Sequence, residues 1–149
     1  MNPNLKFSEG HSILATLDPV SQGAATVTTG WVSMALFHGL AAIIQTGVLG
    51  ASATLDAKLQ QATTSGGAGA KDITGKAITQ VVKASGDSKQ VVIEMRDTEL
   101  DAANGFAFVR LSVTVGTAAS LINAMLLGFH PVYSPASVYN QAGVVQLVG

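Results

Sequence analysis

Among the residues whose types and spacing could carry chemistry, Gly66–Asp72 (GGAGAKD) comes closest to a known device. A phosphate loop needs glycine directly before its lysine and a hydroxyl directly after, so that backbone N–H groups cradle phosphate and the hydroxyl holds magnesium. Here Ala70 precedes Lys71 and Asp72 follows it, and a carboxylate at that place repels phosphate. The dinucleotide pattern fails as well, since Asp72 stands where the third glycine belongs, three residues past Gly69. The segment reads as a mobile hairpin loop. Asp97, Glu99 and Asp101 form a D-x-E-x-D string, but a calcium loop also needs a glycine turn and a distal acid, and Ala102 and Ala103 occupy that space. The string reads as the solvated first turn of a helix, its acids complementing the macrodipole.

His11, His38 and His130 are scattered, and none has a second histidine or a carboxylate at i+3 or i+4, so no local zinc pair exists and only convergence in space could make one. The absence of cysteine removes disulfides, thiolate metal sites and thiol nucleophiles together. A serine elbow of the G-x-S-x-G kind does not occur. Carboxylate pairs for glycoside cleavage are defined by a distance and are not readable from spacing. The expectation is a protein that is not an enzyme, with no catalytic, cofactor-binding or metal residues and no small-molecule substrate. Five Phe, two Tyr and one Trp are few for a glycan or single-strand platform. Tyr133 and Tyr139 flank Pro135, placed either to dock a partner or to pin the tail to its own sheet.

The elements that position these residues are bounded by composition. A chain of 149 residues makes one domain the default, large enough for a core without a covalent staple. Hydrophobic residues make up 48% and charged residues 11%, against a usual charged share of about 25%, which excludes disorder over most of the chain. Eight Lys plus Arg against nine Asp plus Glu leave a net charge of −1 and no electrostatic footprint for nucleic acid. From Pro19 to Leu55 there is no charged residue at all. Trp31–Gly50 is long enough to span a membrane, but Ser33, His38, Gln45, Thr46 and three glycines interrupt it and no basic residue flanks it, so no membrane partner is expected. Lys6 is followed at once by Glu9 and His11, and Ile13–Leu17 is too short for a signal core, so no targeting segment is read. A skin this poor in charge implies burial against other protein.

Residues 1–30 read as an arm punctuated by Asn2, Pro3, Pro19, Gly23 and Gly30, with pieces able to pair as strands. Its apolar Leu5, Phe7, Ile13 and Leu14 are candidate anchors on a neighbour, together with Tyr133 and Tyr139. Period-two alternation marks Ala53–Thr63, with Leu55, Ala57 and Leu59 on one side, and Phe106–Val115, with Val109, Leu111, Val113 and Val115 facing a core. Lys89–Met95 is a third strand. Trp31–Phe37, Leu40–Leu49 and Ser120–Phe129 lack clean alternation and read as strands covered on both faces, with helix as the competitor. Asp97–Asn104 reads as a short helix stopped at Asn104-Gly105, and the tail from about residue 136 as one more strand, able to swap to a neighbour. The sum is an all-β fold: one antiparallel β-sandwich, jelly-roll-like, over residues 31–149, an extended N-terminal arm over 1–30, and at most one or two short helices.

Leu59–Thr79 (LQQATTSGGAGAKDITGKAIT), Glu99–Gly116 (ELDAANGFAFVRLSVTVG) and His130–Tyr133 (HPVY) carry a resemblance. Over Trp31–Tyr133 the chain resembles small virion proteins of tailed bacteriophages, often encoded near the major capsid protein. The resemblance implies a particle component, foremost a head decoration or cement protein: a homo-oligomer on the capsid surface, bridging major capsid protein subunits and made in the bacterial host cytoplasm. It implies no enzyme and transfers no functional residue. Lack of cysteine suits assembly in a reducing compartment. A neck or tail component of the virion is the alternative within this class, and a small lectin-like binding module the alternative outside it.

Overall fold

The computed structural model describes residues 4–149; Asn2 and Pro3, read as punctuation of the arm, lie outside them. In chain order the strands are β1 (His11–Gln22), β2 (Ala25–Thr28), β3 (Val32–Ser33), β4 (Phe37–Thr46), β5 (Thr54–Ala62), β6 (Lys71–Ala77), β7 (Val81–Val82), β8 (Gln90–Arg96), β9 (Phe108–Gly116) and β10 (Ser120–Pro131). One sheet, here sheet A, has the order β1-β10-β4-β8. The second, sheet B, has the order β2-β9-β5-β6, with β3 also on β9 and β7 also on β5. Every pairing is antiparallel.

Because β2 and β3 pair with opposite ends of β9, and β6 and β7 with opposite ends of β5, each couple acts as one interrupted edge strand. Counted so, eight strands pair first with last, second with seventh, third with sixth and fourth with fifth. That nested pairing is a long hairpin rolled on itself, the jelly roll. The all-β sandwich read from the sequence is the fold observed, with helix at 12% of the chain.

The two alternating strands do what their periodicity dictates. Leu55, Ala57 and Leu59 on β5 and Val109, Leu111, Val113 and Val115 on β9 are buried, and Leu59 stands directly opposite Leu111. They pack against Leu40, Ala42 and Ile44 of β4, Ile93 and Met95 of β8 and Leu126 of β10, which closes one core between the sheets. β4 and β10 take β rather than helix because each is hydrogen-bonded on both edges, β10 between β1 and β4 and β4 between β10 and β8, while one face packs on the core. The cover expected on both faces is found on one, since Leu121 and Met125 are exposed. Phe129 of β10 lays its ring on Gly39, where a Cβ would collide with it, so β4 runs unbroken through His38-Gly39.

Four readings are corrected. Residues 11–22 and 25–28 are not an arm but sheet strands, and Leu14 and Leu17 pack on the core. Asp97–Asn104 is not a helix: Leu100 drops onto the core in extended geometry between two 3₁₀ turns, Asp97–Glu99 and Ala102–Asn104, although Gly105 supplies the left-handed stop. The tail from 136 is a 3₁₀ turn at Ala136–Tyr139 and then coil, because Ala136 is buried and Tyr139 packs edge-on against Phe37. Of Trp31–Phe37 only Val32–Ser33 pairs as a strand ahead of β4.

Candidate functional site

The two outer faces of the sandwich differ in kind. On sheet B, Lys58 Nζ and Gln60 Nε2 donate to the two carboxylate oxygens of Asp72 at 2.8 and 2.9 Å, and Arg110 Nε donates to Gln60 Oε1 at 2.9 Å. Arg110 also lies over the Trp31 ring at 4.6 Å, and the hydroxyls of Thr26 and Thr114 are 2.7 Å apart. The bonds from Lys58 and then Gln60 hold the Asp72 carboxyl below its ordinary pKa. This face is polar, and its charges already have partners.

The outer face of sheet A follows from register, because side chains directly opposite each other in an antiparallel pair share a face. One row crosses all four strands as Val92, Ile43, Met125 and Thr16. The next reads Glu94, Ala41, Leu127 and Ile13. In these two rows the charged side chain is Glu94, at the β8 margin. Val92 is 54% exposed, and Leu121, farther along β10, is 47% exposed. Pro19, Val20, Gly47, Leu121 and Asn123 line a shallow hollow of about 430 Å³ at that end. The result is a charge-poor apolar stripe two rows wide, bordered by Gln90, Gln45 and Asn123 on one side and by Arg96, Phe129 and His11 on the other. An exposed apolar stripe marks a contact with other protein.

At the opposite end of sheet A the three histidines do converge. Register sets His11, Phe129 and Gly39 side by side, and His38 and His130 flank them. All three line a cavity of about 560 Å³ with Leu5, Phe7 and Pro131. The Phe7 ring stacks on His11 at 4.7 Å between centroids, and His38 Nδ1 lies 2.8 Å from Asp97 Oδ2. No group of three or more His, Asp or Glu among the described residues is placed to hold a metal ion. The acidic string does not converge either: Asp97 faces His38, Glu99 meets Lys76 at 2.8 Å, and Asp101 pairs with Lys71. Lys76 and then the Arg96 N–H hold Glu99 below its ordinary pKa, and Lys71 with Asn104 does the same for Asp101. The glycine loop lies against Trp31, where a Cβ on Gly67 would collide, and Gly67 itself is left-handed at φ +86.

The candidate anchors separate by place. Leu5, Phe7 and Tyr133 are exposed near the histidine end. Ile13 stands on the outer face of sheet A beside the tail, whose Gln141 N–H donates to its carbonyl at 2.8 Å. Leu14 packs on the core, and Tyr139 pins the tail through Phe37. The residues missed were Val92, Leu121 and Met125. Their signal was present: VVIEM alternates with period two, which sends Val92 outward once Ile93 and Met95 are inward.

No family model matches the chain, and no curated protein matches it. Several solved structures are similar at low identity. One is the cryo-EM structure of broad bean stain virus (TM-score 0.49, 6% identity, 90% of this chain and 92% of that chain). Another is the SPBc2 prophage-derived protein YomS (TM-score 0.42, 9% identity, 79% and 93%). A CBM4 structure is similar too (TM-score 0.42, 11% identity), with 80% of this chain covered and just under two thirds, 66%, of that one. At TM-scores below 0.5 none of these likenesses enters the functional reading.

Proposed function

We propose that this protein is a non-enzymatic structural protein of a tailed-phage virion, a head decoration or cement protein that stiffens the shell by bridging capsid subunits. The observation that carries the reading is the contrast between the outer faces: sheet B polar and internally paired, sheet A crossed by an apolar stripe two rows wide whose charged side chain is Glu94 at the β8 margin. A monomer in water gains nothing from such a face, whereas a shell component buries it in every copy. Partners in this reading are the major capsid protein and further copies of the chain, on the capsid surface, after synthesis in the host cytoplasm. Leu5, Phe7 and Tyr133 supply a second apolar contact at the histidine end. Many weak contacts repeated by symmetry give avidity without any single tight site. The resemblance over Trp31–Tyr133 points the same way.

Particles made without the protein test the reading. They are expected to assemble yet burst at lower temperature or milder osmotic shock, and added protein is expected to restore them while a Met125→Asp variant does not. Equal resistance with and without the protein would count against it.

A further inference from the structure

Among the described residues, the end of the C-terminal segment is held by few hydrogen bonds. Its attachment ends early: Asn140 Oδ1 accepts from the Ile13 N–H at 2.8 Å, and Gln141 N–H donates to the Ile13 carbonyl. The Val144 N–H closes a turn back to the Gln141 carbonyl at 3.0 Å, and no backbone hydrogen bond is formed beyond it among the described residues. Val145 is 94% exposed and Val148 85%, with Leu147 exposed between them. The path leads to the Lys6 side chain, beside Gly149, and not across the apolar stripe of its own sheet A. The molecule therefore shows two unpartnered apolar surfaces at once, an uncharged VVQLV segment of coil and an uncharged stripe of Val92, Ile43 and Met125.

We propose that the tail of one copy lies across the stripe of a second copy, an exchange that deepens the homo-oligomeric part of the reading above and rests on it. Reach allows it. The eight residues from Ala142 to Gly149 extend about 26 Å, and four strands span only about 14 Å from first to last. The seat is the face and not an edge. β1 is blunted along its edge by Pro19 and two register shifts, and β8 by Lys76, whose ammonium donates to the Glu94 carbonyl at 2.8 Å. Reciprocal exchange covers the Val92–Ile43–Met125 row of each copy with the partner's tail in one two-fold pair, which leaves no open end for a filament and leaves the Ala41–Leu127–Ile13 row turned to the capsid.

The chain has no cysteine, so engineered pairs report cleanly. A Val92→Cys, Val145→Cys double variant is expected to form disulfide-linked dimers on mild oxidation. A Thr114→Cys, Val145→Cys control, with its first thiol on sheet B, is expected to form them at least tenfold less. A chain ending at Gly143 keeps Asn140 and Gln141 and is expected to melt near the full-length temperature while its light-scattering mass falls to that of one chain. Equal cross-linking in both pairs, a bridge within a single chain only, an unchanged mass after truncation, or a full-length protein that is monomeric at tens of micromolar each overturns the exchange. Binding of the truncated chain to emptied capsids is read separately: if it persists, the capsid reading stands whatever becomes of the tail.

Discussion

Replacing Leu111 by Ala probes the core on which both outer faces depend. Leu111 is fully buried on β9, opposite Leu59 on β5, with the β2/β3 edge on its other side. Backbone pairing on both flanks prevents the sheet from closing over the space left by three missing carbons. Among buried Leu→Ala changes, which cost about 2.7–5.0 kcal/mol, this site therefore belongs to the middle or upper part, at about 3–4 kcal/mol. For a chain of this size each kcal/mol lowers the melting temperature by about 2–4 °C, so a fall of about 10 °C is expected. Thermal melts followed by circular dichroism, with urea melts to confirm an unchanged slope, measure it. Val48→Ala, at a site 60% exposed, serves as the control and should stay within about 0.5 kcal/mol of the parent. A Leu111→Ala loss below about 1 kcal/mol would refute the packing argument, because it would mean that the β9 core face is not closed by sheet A.

Four further outcomes follow from the same structure. Gly39→Ala places a methyl where the Phe129 ring lies, and is expected to cost about 1–3 kcal/mol in thermal melts, a cost that Phe129→Leu in the same chain should largely relieve. Asp72, Asp87, Glu99 and Asp101 all hold carboxyl pKa values below the ordinary range, so the unfolded chain binds more protons near pH 4; stability is then fully present above about pH 5 and lost as pH falls through the lowered values. Asp87→Asn, which keeps an oxygen for the Leu49 N–H but removes the titrating charge and the oxygen that accepts from Lys83, should flatten that acid limb in a melting-temperature profile from pH 6 to pH 2. Deleting residues 1–8 should leave cooperative unfolding intact, whereas deleting 1–17 removes more than half of β1, with Ala15 from the core, and should abolish it. Met125→Asp should melt within a few degrees of the parent yet fail to bind emptied capsids, and a loss of fold instead would place Met125 inside the core.

How much of this was legible depended on whether a strand has one wet face. β5 and β9 do on sheet B, so Leu55, Ala57 and Leu59 and the Val109–Val115 set announced both the strands and their inward side. Even there the far side was incompletely read: Ser112 belongs to the outer face but is only 6% exposed between Lys58 and Thr28. β4 and β10 gave no alternation because their outward Ala41, Ile43, Leu121, Met125 and Leu127 are as apolar as their inward side chains. β1 was hidden by register shifts at Ile13/Ala15 and Leu17/Val20, which break period two and made an edge strand look like an arm. Gathering of His11, His38 and His130 around Phe129 rests on the register of three strands, which local spacing does not encode. Val92 and Met125 could have been placed outward by parity, but only once the inward side of β8 and β10 was known.

Location in the virion tests the central claim most directly. Cryo-electron microscopy of the intact particle is expected to show density for this chain on the head shell, with sheet A turned toward capsid subunits and neighbouring copies and sheet B toward solvent. Density confined to the neck or tail above a bare shell, or copies seated on the head by the polar face of sheet B, would contradict it.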